Sequence, residues 1–117
     1  MKFISLSPFV PSGPDFESSK QLFLDLGFQI RWDAGDYTAL EAGECRFILQ
    51  NFDNRTFAEN FMISVAITDA DEFWNNVNEK QLVQKYGIRL GKPQDQPYGR
   101  EVNIIDPAGV CWHFVQA

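Results

Sequence analysis

Two segments of the chain, 66 positions apart (108 against 42), share the pattern Ala-Gly-x-Cys followed by four mostly apolar residues. They are residues 42–49 and 108–115. Each segment lies at the same place in a similar run of predicted elements, so we interpret the pattern as an internal duplication. A duplication constrains the fold strongly, because both copies must adopt the same small structure and such a small sheet cannot bury both of its faces alone.

The first copy is predicted to fold in the order β-α-β-β-β. An apolar run over residues 3–10 predicts the first strand, which ends at a Pro-Ser-Gly-Pro turn. Asp15 is a typical N-cap for the helix that follows, and Gly27 is typical of a helix end. Three short strands are then predicted over residues 28–32, 37–41 and 45–50.

The second copy begins after the polar segment 51–60. Residues 61–68 are predicted as a strand, and Thr68 or Asp69 as the N-cap of an amphipathic helix. A short strand over residues 88–90 follows, so the element order of the first copy starts again.

A hairpin over residues 102–105 and 110–115 closes the second copy. Its turn, residues 106–109, has the sequence Asp-Pro-Ala-Gly, in which Asp106 can accept hydrogen bonds from the turn backbone. Side chains alternate between the two faces of a strand, so we expect Trp112 and Phe114 to lie under the second helix, with Val102 and Ile104 beside them. The residues then predicted to face a groove are Glu101, Asn103 and His113, with Phe47 at the position equivalent to His113.

These elements predict an α+β fold in which two tandem βαβββ modules form a curved mixed sheet around a cup, with the helices outside. The chain of 117 residues is expected to be one domain spanning 1–117. Within it we expect module one over about 1–50, a connector over 51–60 and module two over about 61–117.

Composition excludes some classes of function. A net charge of −6 without a basic stripe argues against nucleic-acid binding, because nothing would neutralise the phosphates. No apolar run approaches membrane-spanning length or supplies a signal-peptide core, so a cytoplasmic protein is expected. Cys45 and Cys111 are then expected to be reduced thiols that act as small core residues, with no adjacent base to activate them.

Several motifs together resemble the vicinal-oxygen-chelate superfamily, which contains glyoxalases, dioxygenases and bleomycin-resistance proteins. They are Pro8-Phe9-Val10, the helix start at 69–74, Pro97-Tyr98-Gly99-Arg100-Glu101, the Asp-Pro-Ala-Gly turn and the final His113-Phe114-Val115. The segment at 97–101, with His rather than Glu after the turn, is most similar to the bleomycin-resistance branch. That resemblance implies a homodimer in which a partner chain completes the ligand groove.

Enzymes of this superfamily hold a divalent metal with His, Glu or Gln from the first and last strands of each half. This chain departs from that pattern, because only His113, its sole histidine, stands at such a position. The other positions hold Ser7 and Pro8, residues 61–63, and Phe47. No metal or other cofactor is therefore expected. A rebuilt site from Glu41, Glu101 and His113 is the alternative.

The residues predicted to bind a ligand are Trp32, Phe47, Tyr98, Arg100, Glu101, Asn103 and His113. Aromatic walls with a few polar groups are typical of small-molecule sites. Two roles stay open for His113. It is either a partly buried histidine satisfied by a neighbouring polar group, such as Asn103 or a water, or a hydrogen-bonding group for the ligand. Arg100 either binds the ligand or pairs with a carboxylate.

The sequence therefore predicts a metal-free protein that sequesters a small cationic, aromatic molecule, such as a bleomycin-like compound, in a groove at a dimer interface. The acidic charge favours a cationic guest by long-range attraction. One alternative is a metal-dependent enzyme of the same superfamily, such as an isomerase, a dioxygenase or a thiol transferase acting on fosfomycin. Another is a non-catalytic dimeric module whose groove binds a peptide or nothing.

Overall fold

The computed structural model describes all residues from 1 to 117 and divides the chain into two compact units, Met1–Asp53 and Asn54–Ala117. The division falls inside the segment 51–60 that the sequence predicts as a connector. Whether the two units act as one domain remains a prediction. None of the helices has the length and apolarity that crossing a bilayer requires.

The first unit contains one helix and a four-stranded mixed sheet in the order β1-β4-β3-β2. Strand β1 pairs with β4 in parallel, and the other pairs are antiparallel. The elements are β1 (Phe9–Pro11), α1 (Phe16–Leu26), β2 (Gln29–Asp33), β3 (Tyr37–Ala42) and β4 (Cys45–Gln50).

Helix α1 begins and ends where its caps predict. The Asp15 carboxylate accepts a hydrogen bond from the backbone of Ser18, and Gly27 is left-handed with φ of 118°. The helix packs on the sheet through Phe23, whose ring meets Phe28 and Phe47 edge to face at centroid distances of 6.1 and 4.9 Å. This apolar cluster is the core of the first unit.

The second unit has a five-stranded mixed sheet in which β5, β9, β8 and β6 lie in that order and β7 also pairs with β8. The order 5-9-8-6 repeats the order 1-4-3-2 of the first unit. The elements are α2 (Arg55–Glu59), β5 (Met62–Ile67), α3 (Ala70–Glu79), α4 (Leu82–Tyr86), β6 (Arg89–Leu90), β7 (Gln94–Gln96), β8 (Gly99–Ile105) and β9 (Cys111–Gln116).

Helix α3 begins after Asp69, whose carboxylate accepts a hydrogen bond from the backbone of Glu72. Its Phe73 ring stacks on Phe114 at a centroid distance of 4.2 Å. Val102 and Ile104 pair across the ladder with Phe114 and Trp112, and all four are buried on this face. The predicted helix-facing residues of the hairpin are thus confirmed.

The hairpin turn at Asp106 is held by its own side chain. One carboxylate oxygen accepts hydrogen bonds from the backbone of residues 108, 109 and 110, each at 3.0 Å. The other oxygen accepts from the Trp112 indole at 2.9 Å. The turn therefore fixes the register of β8 against β9, and with it the face on which each later side chain lies.

The α+β fold class with two mixed sheets is confirmed, and three local predictions need correction. The first strand begins at Phe9 rather than at residue 3, because β4 offers a parallel partner only from Phe9 onward. Residues 1–6 are exposed instead. The short elements α2, α4 and β7 were not predicted, and α2 lies inside the expected connector.

Candidate functional site

The face of the second sheet opposite α3 carries most of the predicted site. In the ladder of β8 and β9, Asn103 lies across from His113, and Ile105 lies across from Cys111. Strand β5 adds Ser64 beside His113 in parallel register. Since Trp112 and Phe114 point toward α3, alternation places Glu101, Asn103 and His113 together on the other face, as predicted.

Four side chains on or beside this face form a continuous chain of polar contacts, which we call the Glu101 cluster. The Tyr98 hydroxyl lies 2.7 and 2.8 Å from the two carboxylate oxygens of Glu101. One of these oxygens lies 3.3 Å from Nδ1 of His113, and Nε2 of the same ring lies 3.5 Å from Sγ of Cys111. Both ring nitrogens of His113 are thus engaged by protein groups.

Glu101 is buried, with 3% of its surface exposed, although the Tyr98 side chain beside it is 62% exposed. The hydrogen bond to Glu101 raises the pKa of the Tyr98 phenol, and burial adds to this effect. Burial also raises the pKa of the Cys111 thiol, with smaller contributions from the charges of Glu101 and Asp106. Both Tyr98 and Cys111 are therefore protonated at neutral pH.

Asn103 adds an acceptor that the protein leaves unused. Its side-chain oxygen is buried and has no hydrogen-bond partner. A buried polar atom without a partner is costly, and such an atom in a candidate site is a place where a ligand or water donor fits. Asn103 is not a partner of His113, so the role proposed for it in satisfying the histidine is wrong, and Glu101 and Cys111 take that role.

The absence of a base next to Cys111 was predicted from sequence, and this prediction is wrong. His113 lies two residues later on the same strand, so its ring points to the same face as the thiol and reaches it. Spacing of this kind was the available sequence signal. Cys45 and Cys111 both remain free thiols.

The predicted place of Phe47 on the groove wall is also wrong. Phe47 is 3% exposed and lies in the core under α1 against Phe23 and Phe28. The two copies differ in hairpin length, because β3 and β4 are joined at Ala42 and Cys45, whereas β8 and β9 are joined at Ile105 and Cys111. The alternation of buried residues is consequently shifted by one position between β4 and β9. A constant offset between the two copies therefore assigns Phe47 to the wrong face of its strand.

Arg100 pairs with carboxylates, which was one of the two alternatives. Its guanidinium lies 3.1 Å from Asp71 on α3 and 3.0 Å from Asp95 on β7. The hydrogen bonds to these two carboxylates raise the pKa of Arg100, and the bond to Asp71 has the larger effect. Because it alternates with Glu101, Arg100 lies on the α3 side of the sheet, away from the Glu101 cluster.

The first unit has an exposed aromatic surface on the sheet face opposite α1. Trp32 lies on the edge strand β2 and is 44% exposed. In the ladder it lies opposite Ala39, and the same cross-strand row continues through Ile48 on β4 to Phe9 on β1. Phe9 and Tyr37 are exposed there too, and their rings meet edge to face with a centroid distance of 5.8 Å. Phe9 and Tyr37 were not predicted as site residues, although Phe9 belongs to one of the motifs quoted above.

The residues do not fit a catalytic metal centre. No three His, Cys, Asp or Glu side chains come together in a group that could hold a metal ion. His113 is committed to Glu101 and Cys111, and Ser64 rather than a ligand type lies beside it on β5. Glu41, from the alternative site, pairs with Arg31 and Arg46. No chemistry is assigned to a metal here.

No family model and no curated relative matches the sequence. Among solved structures, the bleomycin-binding protein of Streptomyces verticillus, in complex with copper(II)-bleomycin, is 22% identical with a TM-score of 0.78. That match covers 100% of this chain and 98% of the other. The bleomycin resistance determinant encoded on transposon Tn5 is also 22% identical, with a TM-score of 0.77 and coverage of 97% and 98%.

A fosfomycin resistance protein, FosX of Listeria monocytogenes complexed with Mn(II) and sulfate, has the same fold at 9% identity. Its TM-score is 0.76, and the match covers 100% of this chain and 92% of that one. The predicted resemblance to the vicinal-oxygen-chelate fold is therefore confirmed. Binding proteins and a metal-containing resistance protein share this fold, so the function must be argued from the side chains.

Proposed function

We propose that this chain binds and sequesters a small aromatic ligand that donates hydrogen bonds or carries positive charge, without using a metal. The observation that carries the proposal is the pairing of a buried carboxylate, Glu101, with the unpartnered oxygen of Asn103 on one sheet face. Both groups are hydrogen-bond acceptors, and His113 lies beside both of them. A ligand with an ammonium or amide N–H matches them.

The first unit, taken by itself, has an exposed surface that suits an aromatic ligand. Trp32, Tyr37 and Phe9 present ring faces and edges on which a planar group can stack. An exposed apolar patch on a small protein is typical of a binding surface. The bleomycin-binding proteins with the same fold make bleomycin the first ligand to try.

The proposal includes a homodimer with the ligand groove at the dimer interface. Its support in this chain is the segment Met1–Leu6, in which Phe3, Ile4 and Leu6 are 93%, 85% and 84% exposed. Apolar side chains exposed to this degree favour burial against a second copy of the chain.

Tryptophan fluorescence titration with metal-free bleomycin tests the proposal. We expect saturable quenching at sub-micromolar ligand, with Trp32 as the reporter, so that Trp32→Phe removes most of the signal. Tyr98→Ala is expected to weaken binding, because Tyr98 holds Glu101 in place. No change up to high micromolar ligand would exclude bleomycin and leave other cationic aromatic compounds to be screened in the same way.

A charge-matched pair of variants then locates the site. Glu101→Gln and Glu79→Gln each remove one negative charge, and Glu79 is exposed at the end of α3. If the ligand contacts the Glu101 cluster, only Glu101→Gln weakens binding, by about tenfold or more as expected for a lost charge-assisted hydrogen bond. Equal effects of the two variants would show that long-range charge alone attracts the ligand and would contradict the site.

A further inference from the structure

We propose that Cys111 is a nucleophilic thiol that reacts with small anionic electrophiles, with His113 as its general base and Glu101 as the group that orients and stabilises the base. The proposal concerns a reaction and does not depend on the binding of an aromatic ligand. It is carried by two independent features, the contacts of the sulfur with the histidine and the cleft into which the sulfur opens, which Arg55 and Arg89 help to line.

The contacts have the order of a nucleophile, a base and an orienting carboxylate. Sγ of Cys111 lies 3.5 Å from Nε2 of His113, and Nδ1 of the same ring lies 3.3 Å from Glu101. In the neutral ring that donates its Nδ1 proton to Glu101, Nε2 carries the lone pair and faces the thiol. This arrangement is the one that activates cysteine and serine nucleophiles on unrelated folds.

The carboxylate of Glu101, the third group in this series of contacts, is held in place by the protein. Glu101 is buried and bonded by the Tyr98 hydroxyl, so its position does not depend on mobile solvent. A buried carboxylate stabilises an imidazolium strongly, because the local dielectric constant is low. His113 itself retains 24% of its side-chain surface, so the base can release a proton to water afterwards.

Cys111 opens into a cleft of about 360 Å³ on the second unit, lined by Arg55, Glu59, Arg89, Ile105, Gly109 and Cys111. Arg89 lies opposite Ile105 on β6, in the same cross-strand row as Cys111. Arg55 is held at the cleft by a bond of 3.1 Å to the carbonyl of Pro107.

Gly109 makes room for this arginine. A Cβ atom at Gly109 would lie 3.3 Å from Cζ and Nε of Arg55. Glu59 pairs with Arg55 at 2.9 Å, and Arg89 is the other cation that lines the cleft. Because the charges of Glu101 and Asp106 also act on the sulfur, we assign the recognition of the reactant to Arg89, which suits a small molecule with a carboxylate beside its electrophilic carbon.

The proposed reaction is a substitution at carbon, and it needs no external oxidant. The sulfur forms a bond to the electrophilic carbon, the bond from that carbon to its leaving group breaks, and the leaving group departs with the electron pair. The S–H proton moves to Nε2 of His113, and Glu101 stabilises the imidazolium until water removes the proton. The raised pKa of Cys111 means that the resting sulfur is protonated, so a base is needed at this step.

Alkylation of the full-length protein with iodoacetate and iodoacetamide tests the proposal, with peptide mass spectrometry to separate the two cysteines. Cys45 is the internal control, because it is also partly exposed and free. We expect Cys111 to be carboxymethylated at least about tenfold faster than Cys45, as general-base catalysis would provide. Equal rates at the two sulfurs would overturn the proposal.

Variants test the base and its carboxylate. His113→Gln is expected to lower the Cys111 rate to that of Cys45, and an increase at both sulfurs would instead report unfolding. Glu101→Gln distinguishes two mechanisms of opposite sign. If Cys111 reacted as an independent thiolate, loss of the Glu101 charge would lower its pKa and speed the reaction. If His113 and Glu101 act as proposed, the reaction slows.

The charge of the reactant is tested by Arg89→Gln against Lys92→Gln, which removes a cation that does not line the cleft. Arg89→Gln is expected to slow iodoacetate at Cys111 severalfold and to leave iodoacetamide unchanged, whereas Lys92→Gln changes neither. Equal loss with both reagents, or no loss with either, would contradict the assignment of an anionic electrophile.

Discussion

At Gly99 the backbone of β8 lies close to the neighbouring strand β9. It starts β8 directly after Tyr98, with φ of 139°. A Cβ atom there would lie 2.8 Å from the carbonyl oxygen of Gln116 and 3.2 Å from a methyl group of Val115. Only glycine satisfies both the backbone angle and the contact, and the position of Tyr98 over Glu101 follows from it.

Gly99→Ala is therefore expected to destabilise the protein more than Gly87→Ala. Gly87 also has a positive φ, of 68°, but a Cβ atom there meets nothing within 4 Å. Strain from the backbone angle costs about 1–2 kcal/mol at either site, and the clash at Gly99 adds about 1–3 kcal/mol. Urea unfolding of the two variants measures the difference. Equal losses would show that β9 moves away without cost.

At the level of single residues, the sequence predicted well on which face of the sheet the side chains of the site lie. Alternation along β8 and β9 places Glu101, Asn103 and His113 on one face, because the Asp-Pro-Ala-Gly turn fixes the register. The same reasoning failed for Phe47, since it transferred a register between hairpins of different length. The partners of His113 could not be predicted, because a strand pattern gives faces and not hydrogen bonds.

At the scale of elements, one buried lysine joins α1 to the edge strand β2. The side chain of Lys20 is 9% exposed, and its ammonium lies 2.9 Å from Asp33 and 3.2 Å from Glu17. It also lies 5.1 Å from the centre of the Phe16 ring. The hydrogen bond to Asp33 is the largest cause that raises the pKa of Lys20. The same hydrogen bond is the largest cause that lowers the pKa of Asp33, and the hydrogen bond from the backbone of Gly35 is the second.

Asp33→Asn is expected to destabilise the protein in a way that depends on pH. Because the folded pKa of Asp33 is lowered, its contribution is present above the unfolded value of about 3.9 and disappears as pH falls through the folded value. The difference in urea midpoint between wild type and variant should be clear at about pH 7 and should shrink as the pH falls below about 3.9 towards the lowered folded pKa.

Glu17→Gln is the matched control for this pair. Glu17 shares Lys20 with Asp33, but its side chain is 73% exposed, so the loss should be smaller at every pH. A difference for Asp33→Asn that stays constant from neutral to acidic pH would show that its effect does not come from the ion pair.

Long elements with caps were predictable, and short ones were not. The helix caps lie where their chemistry suggests. Helix α1 begins after Asp15 and ends at Gly27, and helix α3 begins after Asp69. Helices α2 and α4 have five residues each, too few to show an apolar period. The first strand was predicted too long because apolar residues indicate burial of some kind, and only pairing with β4 makes them a strand.

At the scale of the whole molecule, the strand orders 1-4-3-2 and 5-9-8-6 show that the two units share one topology. The sequence predicted this from the repeated Ala-Gly-x-Cys pattern and from the repeated order of elements. It could not predict that the units would diverge in chemistry. The sheet face opposite the helix is aromatic in the first unit and polar in the second.

The exposed segment Met1–Leu6 is the part of the chain to which we assign the proposed dimer contact. If Phe3, Ile4 and Leu6 are buried against a second copy, each side chain contributes about 1.5–3 kcal/mol to dimer stability. Replacing all three by Ser should therefore raise the dissociation constant by about a thousandfold or more, since each 1.4 kcal/mol is about a factor of ten. Sedimentation equilibrium over a range of concentrations measures this change.

The control combines Lys2→Ser with Ser5→Ala, which alters the same segment without removing a large apolar side chain. It should leave the dissociation constant unchanged, because the apolar area is kept. A wild-type protein that is monomeric at high concentration, or a triple variant that dimerises as tightly as wild type, would contradict the role of this segment. If the groove lies at the dimer interface, the triple variant also loses bleomycin binding at concentrations where it is monomeric, while its Glu101 cluster remains intact.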